Sequence, residues 1–595
     1  MEVREHRDEL VRRIPTLRIV FLTFLLGVAS AYWFVQVVRG DYYRELAENN
    51  RLRRIPIKPP RGLILDREGR LLADNVPSYN LMIDRTRVAE LSSSLEFASG
   101  ILGAPVEQLR LRLDRQSGSS AFTPVLLADS LSLSEVARIA AGNLEHPEFE
   151  IDVGHLRLYR HGEITAHVLG YLGEVSERDL RRPDSPYRSG DVVGRRGIEL
   201  VFDQELRGEK GERQVVVDSR GKTREEFGAH QAHPGSDLRL TLDLELQQIA
   251  SRYFEDKVGA AVVMDPRTGE ILAMVSAPSY NPNLFTRRLD QSQWQEILDD
   301  PNHPLQNRSV QNTFSPGSIF KIVMAVAGLS EKVVTPEERV YCGGSAKIYD
   351  RRFRCWKAQG HGWVDMRQAI KQSCDIYFYN LGKKLGIERI AHYSRLFGLG
   401  HPTGIGLGEE EKAGLVPDAD WSQRVRRAPW YPGETISVAI GQGPLLVTPL
   451  QMAVMVSTIA NGGYRVTPQL DADAPSVAPV SAELDPRALA FVREALWAVV
   501  NESGTGRSAK VEGFDIAGKT GTAQVVEQKT WVDNKDLPYA QRDHAWFVSF
   551  GPVAAPELAV VVFVQNGGKG SAVAAPLAQR IYEKFRDDRG YRQPA

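Results

Sequence analysis

Twenty consecutive residues without a charge, Ile19 to Val38, stand near the start of a 595-residue chain that is otherwise ordinary in polarity. As a helix they would rise roughly 30 Å, enough to cross the hydrocarbon core of a bilayer. Tyr32 and Trp33 would lie toward one interface, where amphipathic rings settle. The alternative is a cleaved leader ending at Ala29-Ser30-Ala31, but the apolar run continues past that cut through Tyr32, Trp33, Phe34 and Val35. Arginines flank the run on both sides, at positions 4, 7, 12, 13 and 18 before it and 39, 44, 51, 53 and 54 after it, so charge does not orient the span. No second stretch of this kind follows. The sequence therefore predicts a tail at 1–18, one transmembrane helix at 19–38, and a large water-exposed body on one side.

That body is too long for one core and should hold two to four domains. A formal net charge of -1 gives no bulk attraction to nucleic acid, and no zinc-finger or basic-helix pattern occurs. A short polar helix is expected from Tyr42 to Asn50. Pro56, Pro59, Pro60 and Gly62 then exclude helix, and Leu63–Leu72 reads as strand, turn at Gly69, strand. Helical periodicity marks Leu131 to Ala141. From Gly154 to Gly221, glycines alternate with short apolar runs, as in extended structure with tight turns. Composition shifts at His233-Pro234-Gly235. Beyond it, Asp237–Leu242 alternates like a strand and Leu244–Val258 has helical spacing. Gly259–Met264 and Glu270–Val275 form a hairpin about Asp265–Gly269. Ala545–Phe550 and Leu558–Val564 are two late strands, with helices such as Ile319–Leu329 and Leu450–Ile459 between the two sets. Thr467–Pro486 reads as an excursion loop. Strands at both ends with helices inserted between them predict one α+β sheet domain over 235–590, preceded by a β-rich, non-catalytic pedestal over 39–234.

Three short motifs inside the 235–590 region carry chemistry. Ser318-Ile319-Phe320-Lys321 follows Ser315-Pro316-Gly317 and puts a hydroxyl and an amine at i and i+3, on one helical face. Serine needs an adjacent base to act as a nucleophile. Lys321 could serve once uncharged, which demands desolvation or a positive neighbour. A serine opening a helix would also have free N–H groups and the helix dipole at its oxyanion. Alone the tetrapeptide means little: Ser219-Arg220-Gly221-Lys222 has the same spacing, and Ser78-Tyr79-Asn80 and Ser279-Tyr280-Asn281 are similar stray matches to a second motif type. Its force comes from order and company. Ser373-Cys374-Asp375 follows Ser318 by 55 residues, and Lys519-Thr520-Gly521-Thr522 follows it by 201.

The set resembles the serine transpeptidases and β-lactamases that share the penicillin-recognising fold. Upstream, Pro60-Arg61-Gly62 with Asp66-Arg67 and Gly69 is similar to the N-terminal signature of class B penicillin-binding proteins. So are Arg157 and Tyr159, Ala166-His167 with Gly170-Tyr171, and Gly194 with Gly197-Ile198-Glu199. Gly441-Gln442-Gly443 with Thr448-Pro449 matches the family's internal segment. Ser373-Cys374-Asp375 resembles the elongation-type penicillin-binding protein 2 branch; division-type relatives usually carry Asn third. The resemblance implies a peptidoglycan D,D-transpeptidase working in cell elongation, with D,D-carboxypeptidase side activity and with a division-type enzyme or a membrane-bound β-lactam sensor as alternatives. It implies Ser318 as acyl-forming nucleophile, Lys321 as its proton acceptor, Ser373 as proton relay, and Lys519 as binder of the terminal carboxylate beside Thr520 and Thr522. Gly521 would let the substrate strand lie against the backbone, and the N–H groups of Ser318 and Thr522 would hold the oxyanion. No cofactor is implied for catalysis. Implied partners are D-Ala-D-Ala stem peptides, β-lactams, the membrane, a polytopic glycan polymerase and scaffold proteins of the elongation machinery. The implied location is the cytoplasmic (inner) membrane, with the catalytic domain in the periplasm.

Asp375 departs from the commonest family pattern, an amide. A carboxylate near Lys321 would favour the charged amine, which conflicts with a resting neutral base.

The three cysteines, Cys342, Cys355 and Cys374, fall within 33 residues with His361 among them. One reading is a structural zinc site on Cys342, Cys355, His361 and Cys374, closed by four protein ligands. A Cys342–Cys355 disulfide with Cys374 free is a second, and packed thiols a third.

Overall fold

The computed structural model describes residues 2–43, 52–115, 124–183, 185–187, 190–217, 223–286, 291–408, 411–526, 532 and 534–591. Most of the helix expected at Tyr42–Asn50, from residue 44 onward, lies outside the described residues, and so does the stray Ser219–Lys222 match. The N-terminal helix Glu2–Trp33 continues as a wider helical turn over Phe34–Val38. Its Ile14–Val38 portion is long and apolar enough to cross a membrane.

The chain divides into two compact units. The first comprises Met1–Pro60, Pro77–His155 and Gly208–Pro234; the second comprises Arg61–Val76, Leu156–Arg207 and Gly235–Ala595. Residues 39–234 thus contribute to both.

In the first unit Leu52–Ile57, Gly211–Val217 and Thr223–His230 form an antiparallel three-stranded sheet. A separate core is built from Leu81, Ile83, Leu95, Leu109, Val125, Leu127, Ile139 and Phe149. The helix read from sequence at 131–141 runs from Leu133 to Gly142. Ser132 and Glu135 close its start reciprocally, each side chain accepting from the other's backbone N–H.

The second unit is built on a five-stranded antiparallel sheet in the order Ile271–Ala277, Gly259–Met264, Leu558–Val564, His544–Gly551, Ala517–Ala523. Early and late strands of the 235–590 region are therefore neighbours, with helices between them in sequence, as the strand pattern predicted. The hairpin turns where predicted: Met264 pairs with Ile271, and Gly269 takes a positive φ of 84°. The period-two alternation divides the strand side chains between two cores. Val262, Met264, Trp546, Val548, Phe550, Val561 and Phe563 face one core, with residues of the helices Lys321–Ser330, Asp375–Leu396, Pro449–Ala460 and Pro486–Asn501. Ala261, Val263, Ala545, Phe547, Val560 and Val562 face the other, with the helices Leu244–Tyr253 and Ala575–Asp588. Strands buried on both faces read as continuous apolar runs, hence their legibility.

The stretch from 154 to 221 differs from the extended structure expected. Short helices at Ala166–Leu169, Glu177–Leu180, Gly197–Val201 and Asp203–Leu206 alternate with brief strands. Glycine serves close packing here rather than turns alone. A Cβ on Gly170 would lie 1.8 Å from the Arg196 carbonyl oxygen, and one on Gly197 would lie 2.4 Å from that of Val168.

This packing assembles the upstream signatures around one fully buried carboxylate, Glu199. Arg61 Nε donates to Glu199 Oε2 at 2.6 Å, Arg157 Nε to Oε1 at 2.7 Å, and the Tyr159 hydroxyl to Oε1 at 3.3 Å. Arg61 also pairs with Asp203 at 2.9 Å, and Arg157 donates to the Gly62 carbonyl at 2.7 Å. Three segments far apart in sequence are tied by one acid. Removing the charge would leave the buried Arg157 guanidinium without an ion-pair partner among the described residues and Arg61 with Asp203 alone, at a cost of about 3–5 kcal/mol. Glu199→Gln should therefore melt well below the parent in a thermal scan; an unchanged melting temperature would show that the cluster is not holding these segments.

Candidate active site

Ser318 lies in a tight turn, Gly317–Phe320, that leads directly into the helix Lys321–Ser330. The turn is clamped from two sides. Gly317 donates its N–H to the Gly441 carbonyl at 2.9 Å, and Gly441 fits because a Cβ there would lie 2.1 Å from the Gly317 oxygen. On the other side the turn meets the strand Ala517–Ala523. Gly317, at φ 57°, has room for no Cβ, since one would lie 2.6 Å from the Thr522 carbonyl oxygen. Trp546 Nε1 completes the clamp by donating to the Ser315 carbonyl at 3.1 Å. The Gly441-Gln442-Gly443 segment thus acts as a backing plate for the nucleophile turn.

Gly521 sits in the same contact. A Cβ there would come within 2.9 Å of Trp546 Cβ and 3.1 Å of both Ile319 Cγ2 and the Pro316 oxygen. Its lack of a side chain is required by the protein's own Ser318 turn, a reason different from the substrate approach inferred from sequence.

Lys321 is fully buried, and its Nζ reaches three acceptors: Asp375 Oδ1 at 2.6 Å, the Ser373 carbonyl at 3.0 Å and Ser373 Oγ at 3.2 Å. An ammonium has three protons, so this set saturates it. The expected coupling of Asp375 to Lys321 is a direct contact. Burial raises the Asp375 carboxyl above its ordinary value even with the Lys321 ammonium beside it. Its other oxygen, Oδ2, accepts from the Trp356 backbone N–H at 2.9 Å. Ser318, half-buried, has no side-chain hydrogen bond among the described residues.

Ser373 occupies a left-handed conformation, φ 55°. It ends the helix Met366–Lys371: its N–H donates to the Ile370 carbonyl and the Cys374 N–H to that of Ala369, the paired bonds of a glycine-type helix stop. A serine there costs strain that glycine would avoid. The strain puts both its hydroxyl and its carbonyl on Lys321.

Lys519 is fully buried, with Nζ donating to the Thr520 carbonyl at 3.1 Å. Burial, then the Lys321 ammonium, holds its amine well below the ordinary value. Thr520 Oγ1 bonds to Thr505 Oγ1 at 2.7 Å. The structure thus gathers Ser318, Lys321, Ser373, Asp375 and the Lys519–Thr522 strand into one site. Sequence reasoning missed Trp356, Thr505 and Trp546, which carry no motif. It also set aside Ser78 and Ser279, which bond elsewhere, to Asn80 and to the Glu163 carbonyl.

The cysteines are unpaired, so no disulfide forms. The Cys342, Cys355 and Cys374 sulfurs and a His361 nitrogen lie within 4.8 Å of one another. His361 Nδ1 is 3.5 Å from Cys342 Sγ and 3.6 Å from Cys355 Sγ. Tetrahedral zinc with bonds of about 2.0–2.3 Å places its ligands roughly 3.5–3.8 Å apart; the two His361 contacts have that spacing, while the four ligand atoms together lie within 4.8 Å.

Opposite Ala523 at the end of the site strand, His544 opens its own strand against Phe314 and Phe563. Its Nδ1 accepts from the Asn566 N–H at 3.0 Å. Burial lowers it to about 4 from the usual 6.5. A depressed imidazole contributes stability above pH 6.5 that is lost as pH falls toward 4, because the unfolded chain takes up the proton first. The loss is about 3 kcal/mol at full extent. Denaturant midpoints measured from pH 7 to 4 should fall less steeply in His544→Gln than in the parent; parallel profiles would contradict the assignment.

Comparison with known proteins agrees with this geometry. Residues 259–583 match the penicillin-binding protein transpeptidase domain, and residues 56–240 match the penicillin-binding protein dimerisation domain. The chain is 34% identical to the peptidoglycan D,D-transpeptidase MrdA of Haemophilus influenzae, over 96% of this chain and 91% of that one. Among solved structures it resembles the penicillin-binding protein PBP2 of Helicobacter pylori in complex with MreC, with TM-score 0.80 and 28% identity, covering 90% of this chain and 99% of that one. It also resembles a component of a peptidoglycan synthase complex that coordinates polymerization and crosslinking, with TM-score 0.72 and 32% identity, covering 96% and 98%. Matched over nearly its whole length, the chain belongs to the class B penicillin-binding proteins, in the penicillin-binding protein 2 branch that carries a D,D-transpeptidase domain.

Proposed function

We propose that the protein cross-links peptidoglycan during cell elongation through an acyl ester on Ser318. The observation that carries this reading is the saturated Lys321, fixed to Ser373 and Asp375 one turn beyond a serine clamped against the Lys519–Thr522 strand. Ser318 Oγ attacks the penultimate D-Ala carbonyl of a stem peptide, whose terminal carboxylate meets Lys519, Thr520 and Thr522. The oxyanion accepts from the Ser318 and Thr522 N–H groups. The terminal D-Ala leaves as an amine, protonated through Ser373. The amine of a neighbouring strand then attacks the ester and frees Ser318; water in its place gives the carboxypeptidase side reaction. Lys321 must shed a proton before it can accept one, and its 2.6 Å contact with the buried Asp375 gives that proton a destination.

In this reading the N-terminal helix anchors the chain in the cytoplasmic membrane, with residues 1–18 as a cytoplasmic tail and the chain from residue 39 onward on the outer, periplasmic side. Residues 39–234 serve as the non-catalytic pedestal and 235–590 as the transpeptidase domain. The partners are a polytopic glycan polymerase and a scaffold protein, which the synthase complex and the MreC complex of its relatives support. A fluorescent penicillin should label the parent covalently and Ser318→Ala not at all, with acylation reduced more than about a thousandfold. Equal labelling of both would remove Ser318 from the chemistry.

Penicillin-binding transpeptidases need no cofactor for catalysis. We further propose one structural zinc held by Cys342, Cys355, His361 and Cys374. A closed four-ligand shell leaves no reacting position, so the ion would pin the 342–361 segment to the start of the Asp375–Leu396 helix. Protein washed with a weak chelator should keep about one zinc per chain and Cys355→Ser should lose it; metal-free parent protein would overturn the site.

A further inference from the structure

The strands Ser345–Ile348 and Arg351–Arg354 form an antiparallel hairpin, with Ala346 opposite Phe353, Lys347 opposite Arg352 and Ser345 opposite Arg354. Opposed residues share a face, and successive residues alternate. Ile348 is buried, and the Phe353 ring lies 5.3 Å from that of Tyr379, so their face packs inward. The other face carries Lys347, Arg352 and Arg354, all exposed. None of the three has an ion-pair partner among the described residues, and Asp350, at the turn, is the only acidic residue from Ser345 to Val364. Like charges directly opposite on paired strands are destabilising. Folding has no use for this arrangement; an anionic ligand would relieve it.

Its position narrows the ligand. Arg354 is two residues from Trp356, whose N–H is bonded to Asp375 in the site. Extended chain covers at most roughly 3.5 Å per residue, which puts Arg354 within roughly 7 Å and Arg352 within roughly 14 Å of Trp356. The next strand pair, Val340–Cys342 with Gly362–Val364, carries two further exposed rings, Tyr341 and Trp363, edge to face at 5.5 Å.

We propose that the Lys347–Arg352–Arg354 face is an exosite for the glycan strand that carries the stem peptides, separate from the acylation pocket. This rests on the transpeptidase reading. Every unreacted stem peptide ends in a carboxylate, so a strand bearing many of them is a polyanion. The hairpin would hold that polymer while one of its peptides enters the site. The exosite acts on strand capture and has no part in ester formation.

The test uses the full chain in nanodiscs of uncharged lipid. Co-sedimentation with purified peptidoglycan sacculi should weaken about tenfold in the Lys347→Ala/Arg352→Ala/Arg354→Ala triple variant, and parent retention should fall as salt is raised. The charge-conserving variant Lys347→Arg/Arg352→Lys/Arg354→Lys should keep parent retention. Labelling by fluorescent penicillin, which needs no strand, should run at the parent rate in both. Parent-like retention by the alanine triple overturns the exosite. So does loss of penicillin labelling in that triple, which would make the face structural, or displacement of sacculi by vesicles containing anionic phospholipid, which would make it a membrane surface. Failure of the transpeptidase reading itself would appear separately, as absence of Ser318-dependent label in the parent.

Discussion

A lysine ammonium with no exposed surface is a heavy load for a fold, and the catalytic unit is arranged around the one at Lys321. Burying a charge without partners costs far more than a domain's net stability. Here three acceptors surround it, and each comes from the turn at Ser373–Asp375. That turn exists only because Ser373 tolerates a left-handed backbone between two helices. The helix of Lys321 and the helix of Asp375 must therefore pack in one register, since a shift of one residue in either would leave the ammonium unpaired. The charged pair sets the geometry, and the apolar core of Ile322, Val323, Phe378 and Leu381 fills in behind it.

The same pair explains why the site has to be clamped. Ser318 stands beside a base whose protons are already engaged, so little in the local hydrogen bonding fixes the serine. Its position is set instead by close glycine contacts, with Gly317 against the backbone of Gly441 and Thr522, and Gly521 against the Pro316 carbonyl and the Ile319 side chain. Glycine-to-backbone contacts of this kind have no rotamer to relax. They hold the nucleophile turn close against the strand, which suits a reaction whose rate depends on ångström-level placement.

What the sequence disclosed follows from what kind of signal each feature leaves. The central strands were legible because two buried faces demand unbroken apolar runs such as Leu558–Val564. Ser318, Lys321, Ser373 and Lys519 were legible because their chemistry dictates residue type and order. Glu199 was visible as part of a signature, but not as the acid on which Arg61, Arg157 and Tyr159 converge, since pairing across 138 residues leaves no periodicity. The short helices between 166 and 206 were hidden because their glycines serve close packing, which in a sequence looks the same as a turn. Trp356 and Thr505 were invisible because neither stands in a motif: one holds Asp375 through its backbone N–H and the Gln372 and Ser373 carbonyls through its indole, and the other gives a hydroxyl to Thr520.

Trp356 also links features that looked independent. Its preceding residue, Cys355, belongs to the cysteine cluster; its own N–H holds Asp375; and Asp375 follows Cys374 of the same cluster. The carboxylate that pairs with Lys321 is thus fixed from both sides by one sulfur-lined knot, through the chain at Cys374 and through the Trp356 amide at Cys355. Loosening the knot would free an Asp375 oxygen while leaving Ser318 and its glycine clamp untouched. The position of the nucleophile and the state of its base are therefore governed by different parts of the fold. An amide at 375 has a single acceptor oxygen, so it could not accept from both Lys321 and the Trp356 N–H as the two carboxylate oxygens do, nor could it neutralise Lys321.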